Sequence, residues 1–326
     1  MTIPQRMGDL SGGAGNDTWL DLPAGKIGTP SSADIAILGI GAATPYPIGA
    51  YCMDAPDTIR QALNKPDIFG HHDFDLAGVD ASHTTLPAGI SAEDQGNLQV
   101  EDTTDPDKTA ANRARISAAI QAMLDSDTIP IVFGGDDSIP IPVLAAYGAM
   151  PSMSILQIDA HIDWRDEVNG ERWGLSSTMR RASQMDHIDQ IVQLAARGIG
   201  SARPDDLKAA LEYGSCFHPM RALLKQGGSA AALADLPAAV PVFISLDVDS
   251  LDPAVMPAVL GPSPGGIDYW QLMDIIETAA SRAPIAGFAM VELKPDRDIG
   301  GHGALLAGRI ALSVLAIIAR QRAGGK

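Results

Sequence analysis

The chain has 326 residues, 46% hydrophobic and 5% aromatic, with 33 glycines and 23 prolines, a balance that suits a globular α/β chain able to bury a sizeable core. A net charge of −17 argues against nucleic acid or an anionic membrane surface as partners, since both demand basic patches. Two cysteines, Cys52 and Cys216, cannot build a disulfide framework, and the first twenty residues lack the apolar core of a signal peptide, so a cytoplasmic setting is expected.

Residues 1–33 are rich in Gly, Ser, Pro and Asp without periodicity and read as an irregular N-terminal extension. From residue 34 to 326 the pattern is that of a single domain. Apolar strand-like runs occur at 35–40, 129–133, 154–158, 191–195, 242–246 and 287–291. Between them, helices are predicted at 57–63, 107–125, 139–147, 205–213, 268–282 and 303–322, and the stretch 80–108 reads as a long loop. Continuous apolar strands alternating with helices predict a three-layer α/β/α fold around a mainly parallel sheet. The last helix is apolar, but Arg309 and Arg320 bracket too short a run to span a bilayer, so it reads as a buried helix.

Three polar clusters follow predicted strands, where open α/β sheets bind ligands. After 154–158 come Asp159, His161 and Asp163, whose i, i+2, i+4 spacing puts them on one face of an extended chain. Two carboxylates and an imidazole converging behind a buried strand would repel without a cation, and they read as metal ligands. After 242–246 come Asp247 and Asp249, also ligand candidates, with Asp252-Pro253 as a structural turn. A calcium loop is excluded there, because its sixth and twelfth positions would be Asp252 and Ala258 rather than Gly and Glu. After 129–133 come Gly134-Gly135, then Asp136, Asp137 and Ser138. Two acids at a helix start, with no P-loop lysine, argue against a phosphate cradle.

Taken in order, these segments resemble the signature motifs of the ureohydrolase family, which includes arginase and agmatinase. That family carries Gly-Gly-Asp-His-Ser, Asp-Ala-His-x-Asp and Ser-x-Asp-x-Asp-x-x-Asp-Pro, and the second and third stand here intact. Weaker matches are Pro262–Ile267, the 179–182 stretch, Val291–Pro295 and the Ala55–Arg60 element. The resemblance implies an arginase-like fold. It also implies two divalent metals, manganese first and nickel as the alternative, bridged by Asp159 and Asp247, with His161 and Asp249 completing one and Asp163 helping to hold the other. Asp137 stands where the family has its first histidine ligand and is retained as a ligand able to bind a hard cation.

By the same resemblance, a hydroxide between the metals attacks the guanidinium carbon, Asp163 moves the proton, and Glu292 pairs with the substrate cation. The products are an amine and urea or a substituted urea. The family's later His-Gly pair is missing: no histidine lies between His161 and His187, and Trp173-Gly174 is the nearest alignable pair, with His71 and His72 as weak substitutes. Trp173 is expected to narrow the pocket or stack on the guanidinium, favouring small or alkylated guanidines. A homotrimer or homohexamer is expected. The alternative reading is a catalytically impaired subunit that supports an active paralogue.

Overall fold

A computed structural model of the chain describes residues 18–65, 67–77, 85–101, 105–225 and 228–325. Most of the predicted N-terminal extension lies outside the described residues. Eight strands, β1 (Ile35–Ile40), β2 (Ala92–Asn97), β3 (Ile129–Gly134), β4 (Met153–Ile158), β5 (Ile188–Leu194), β6 (Cys216–His218), β7 (Val242–Asp247) and β8 (Ile285–Val291), form one sheet. Its order is β2-β1-β3-β8-β7-β4-β5-β6, and every pairing is parallel.

Alternation within the strands divides the core into two. In β1, Ile35 and Ile37 face a layer containing the helices Ala55–Ala62, Tyr269–Arg282 and His302–Gly324. Ala36, Leu38 and Ile40 face a layer containing Pro106–Leu124, Pro140–Ala145, Thr178–Ala182 and Pro204–Tyr213. Because both faces are covered, the six residues of β1, β4 and β7 are all buried, which explains their unbroken apolar character in sequence. The predicted three-layer architecture is therefore the observed one.

One expectation needs correction, and another is borne out for a different reason. The stretch 80–108 is not all loop: it contains β2, an edge strand of sequence AEDQGN that offers no apolar run to signal it. The final helix is 23 residues long and apolar enough in composition to cross a membrane, so length does not decide its place. Burial does, because most of its residues between Ala304 and Ala319 pack into the core beside helices Ala55–Ala62 and Tyr269–Arg282, leaving Leu305 and Arg309 exposed.

The polar edge strand is held by a buried ion pair. Arg60 Nε and Nη2 donate to Asp94 Oδ2 and Oδ1, both at 2.8 Å, and Arg60 Nη1 also donates to Asn97 Oδ1 at 2.5 Å. Asp94 Oδ2 further accepts from the Trp19 backbone at 2.7 Å, so one carboxylate ties the N-terminal segment, β2 and the Ala55–Ala62 helix together. Trp19 then seats its ring edge-on against Phe133 in the core. Replacing Arg60 by Met would leave Asp94 buried and unpaired, and the expected loss is about 3–5 kcal/mol of unfolding free energy, measured by urea denaturation.

Candidate metal centre

Strands β3, β8, β7 and β4 are neighbours at the middle of the sheet, and each hands its carboxyl end to one part of the site. Beyond β3, Gly134 and Gly135 let the chain pass against its neighbours; a Cβ on Gly135 would stand 1.9 Å from the Ala42 carbonyl oxygen. Close approach, rather than phosphate binding, is why glycine stands here. Asp136 then serves the turn, its Oδ2 accepting from Thr44 N and its Oδ1 from the Ser138 backbone and hydroxyl.

Asp137 differs. It is 3% exposed, and neither of its carboxylate oxygens has a hydrogen-bond partner among the described residues. A buried acceptor pair without a donor is costly, and a cation is the partner that removes the cost. One ligand atom each from Asp137, Asp159 and Asp163 lie within 4.8 Å of one another, and so do those of Asp159, His161 and Asp249. Asp159 belongs to both groups. The two sets thus share one carboxylate, and oxygen-rich donors with one imidazole suit a divalent cation such as manganese or nickel.

Local structure explains the convergence. Asp159 Oδ1 accepts from His161 N at 2.6 Å, and Asp249 Oδ1 accepts from Ala160 N at 3.2 Å, which joins the β4 and β7 ends. His161 Nδ1 lies 3.1 Å from Asp249 Oδ2 and 3.4 Å from Asp159 Oδ1. Asp163 takes a left-handed backbone at φ 50°, and its carbonyl accepts from both Met179 N and Arg180 N. Asp247, expected to bridge with Asp159, is buried and lines the same cavity, but it is not in either close group; its Oδ1 accepts from Asp249 N at 2.7 Å. Asp252 is the turn residue its sequence predicts, accepting from Ala254, Gly265 and Gly266 N. Arg197 clamps the β7 loop by donating to the carbonyls of Asp249, Ser250, Leu251 and Ser263.

Glu292 follows β8 in a left-handed conformation, φ 70°, and faces the same cavity of about 290 Å³. Its Oε1 accepts from Asp137 N at 2.9 Å, and the Tyr51 hydroxyl sits 2.9 and 2.8 Å from its two oxygens. Tyr51 is a wall residue that sequence reading missed, because nothing in its local pattern marks it. Ile162, Trp164, Leu175 and Leu260 supply apolar wall, with Ser176, Ser201, Arg165 and Asp206 polar.

Trp173 is placed elsewhere. It does not line this cavity, and its ring lies under the Arg113 guanidinium at 5.1 Å, beside a separate small hollow. His71, paired with Asp67, and His72, against Phe74, are also outside the cavity lining.

Burial pushes the Asp137, Asp163 and Asp247 carboxyls well up, reinforced by one another and by Asp159 and Asp249. Burial likewise raises Glu292 to about 8, with Asp136 adding to it. For His161, burial opposes the charge, but hydrogen bonds donated to Asp159 and Asp249 outweigh it and the imidazole is pushed up to about 12. Asp159 moves the other way: burial would raise it, yet its contacts with His161 hold it below the usual range.

With this geometry in hand, the relatives are consistent. The Arginase family model matches residues 33–316, and the chain therefore belongs to the arginase family. An agmatinase of Pyrococcus horikoshii is 28% identical over 309 residues, covering 92% of this chain and 96% of that one. A guanidinobutyrase of Pseudomonas aeruginosa is 28% identical over 294 residues, covering 83% and 86%. Among solved structures, the proclavaminate amidino hydrolase from Streptomyces clavuligerus superposes with a TM-score of 0.80 at 24% identity, covering 94% and 98%, and shows the same fold.

The electrostatics predict how metal-free protein responds to pH. Glu292, Asp137, Asp163 and Asp247 have raised folded pKa values, so their stabilising contribution is complete below the ordinary carboxylate range and is lost as pH rises through the raised values, to about 8 for Glu292. Raised His161 acts in the same direction above about pH 6.5, and lowered Asp159 acts only at more acidic pH. The melting temperature of metal-free protein is expected to fall between about pH 5 and about pH 8, and added Mn²⁺ or Ni²⁺ is expected to reverse the fall by scanning calorimetry, with protons released on binding.

Proposed function

We propose that the chain is a binuclear metal-dependent ureohydrolase, a hydrolase of C–N bonds in linear amidines, which converts a guanidino compound and water to an amine and urea or a substituted urea. The observation that carries this reading is a single buried carboxylate, Asp159, shared by two ligand sets, with Glu292 facing the same cavity. In this reading Asp137, Asp159, His161, Asp163, Asp247 and Asp249 hold the ions. Bound there, two divalent cations supply Lewis acidity and a nucleophilic water near neutral pH.

The remaining work falls to the chain's own groups. Glu292 presents a carboxylate to the guanidinium N–H groups, and its left-handed backbone turns that carboxylate into the cavity. Oε1 is occupied by Asp137 N and shared with Tyr51, which leaves Oε2 as the more open acceptor for substrate. Asp163, half-buried and lining the same cavity, takes the proton from the attacking water and delivers it to the departing amine. Tyr51, rather than Trp173, walls the guanidinium end.

The alternative, an impaired subunit supporting a paralogue, is less well supported, since such a subunit has no need of an unpartnered buried Asp137 facing Asp159 and Asp163. The substrate class is a small guanidino compound. Relatives named for agmatine, guanidinobutyrate and aminopropylagmatine suggest the panel to test. We place the reaction in the cytoplasm, in a homotrimer or homohexamer.

Protein loaded with Mn²⁺ or Ni²⁺ and assayed alone over guanidine, methylguanidine, agmatine, 4-guanidinobutyrate and arginine is expected to release urea or a substituted urea from at least one. No bound metal and no turnover would favour the partner-subunit reading. Amide hydrolysis without urea would overturn the reaction class. Asp249→Asn is expected to lower metal content and to cut turnover roughly 100-fold or more. Glu292→Gln keeps the shape but removes the charge that holds the cation, and a loss of about 10- to 150-fold in kcat/KM is expected from steady-state urea assays.

A further inference from the structure

We infer that Gln157 is a positioning residue that sets the orientation of the Asp159 and Asp163 carboxylates by donating one amide hydrogen to each. The inference rests on the reading above that these two aspartates hold metal. Gln157 is on β4, two residues before Asp159, and therefore on the same face of the strand; it is 1% exposed. Its Nε2 donates to Asp159 Oδ2 at 2.8 Å and to Asp163 Oδ2 at 2.7 Å. Both amide hydrogens are thereby used.

What gives the amide its direction lies one strand further out. The Trp164 indole N–H can only donate, and it donates to Gln193 Oε1 at 2.7 Å, where the Ser215 hydroxyl also donates at 2.9 Å. With its oxygen so placed on β5, Gln193 must turn its NH₂ the other way, where it donates to Ile162 O at 2.9 Å and to Gln157 Oε1. Gln157 in turn must present its own NH₂ to the two aspartates. A flipped Gln157 would set its oxygen against two carboxylates and leave two N–H groups facing another N–H donor. Each amide orientation in the chain is thus determined by the one before it, back to an indole whose polarity is fixed by covalent structure.

The consequence is that the two carboxylates are oriented together. Oδ2 of Asp159 and Oδ2 of Asp163 both accept from Gln157, which fixes the spacing and rotation of the two side chains, while Asp159 Oδ1 accepts from His161 N. Two acids that would otherwise repel share one neutral double donor. Partners of this kind, outside the ligands themselves, typically change metal affinity or activity 10- to 100-fold.

The test uses Gln157→Met, which keeps the length and shape of the side chain but has no N–H, and Gln193→Met, which removes the group that orients Gln157. Each purified variant is checked for fold by circular dichroism, dialysed against graded free Mn²⁺, and measured for bound metal and for kcat and KM separately. In Gln157→Met, Mn²⁺ affinity or kcat is expected to fall about 10- to 100-fold, with KM changed less than twofold. Gln193→Met is expected to give a smaller loss in the same quantities. Wild-type Mn²⁺ affinity and kcat in a folded Gln157→Met would overturn the inference while leaving the ureohydrolase reading intact. If Gln157→Met fails to fold, wild-type values in Gln193→Met would overturn it instead. A wild-type chain that binds no metal would overturn the ureohydrolase reading and this inference together.

Discussion

Asp137, Asp159, Asp247 and Asp249 are buried and Asp163 is half-buried at one end of one sheet, and like charges brought that close out of water repel strongly unless cations sit among them. Most of the site's features follow from that constraint. His161 points its Nδ1 at Asp159 and Asp249, and the neutral amide of Gln157 donates to Asp159 and Asp163. The Asp137 carboxylate oxygens have no hydrogen-bond donor among the described residues. An acid at this position adds negative charge to the centre, which would hold a divalent ion more strongly while making a water on it harder to ionise.

The surrounding fold is organised to hold those ends still. Parallel pairing of β3, β8, β7 and β4 brings their carboxyl termini to one level, and the turns beyond them are pinned largely through their backbone groups. Arg197 gathers four carbonyls of the β7 and 263 loops, and two backbone N–H groups hold the Asp163 carbonyl. Asp163 and Glu292, the two residues assigned to proton transfer and substrate, are both in left-handed backbone conformations that non-glycine residues rarely adopt. Such conformations persist only where neighbouring structure enforces them, and they cluster at functional sites.

Legibility in the sequence tracked burial and spacing. The central strands β1, β4 and β7 were readable because both faces of the sheet are covered and their apolar runs are continuous. The edge strand β2 was not, since Asp94 is buried there through a partner, Arg60, that lies 34 residues earlier in the chain. The ligand candidates were readable because alternation along an extended chain is a local property. Trp173 was assigned by position in a motif, and its side chain instead lies under Arg113 from another layer.

By itself, then, the sequence determined the alternation of strands and helices, the clusters of acids at strand ends and the family they resemble, because each depends on residues close together in the chain. Only the tertiary structure decided which oxygens converge, that Asp159 serves both sets while Asp247 is set apart, that Tyr51 caps Glu292, and that Trp164 orients the amides behind the centre. Those relations join residues up to 241 positions apart. They are fixed by strand order, and strand order is a property of how the whole core packs rather than of any segment within it.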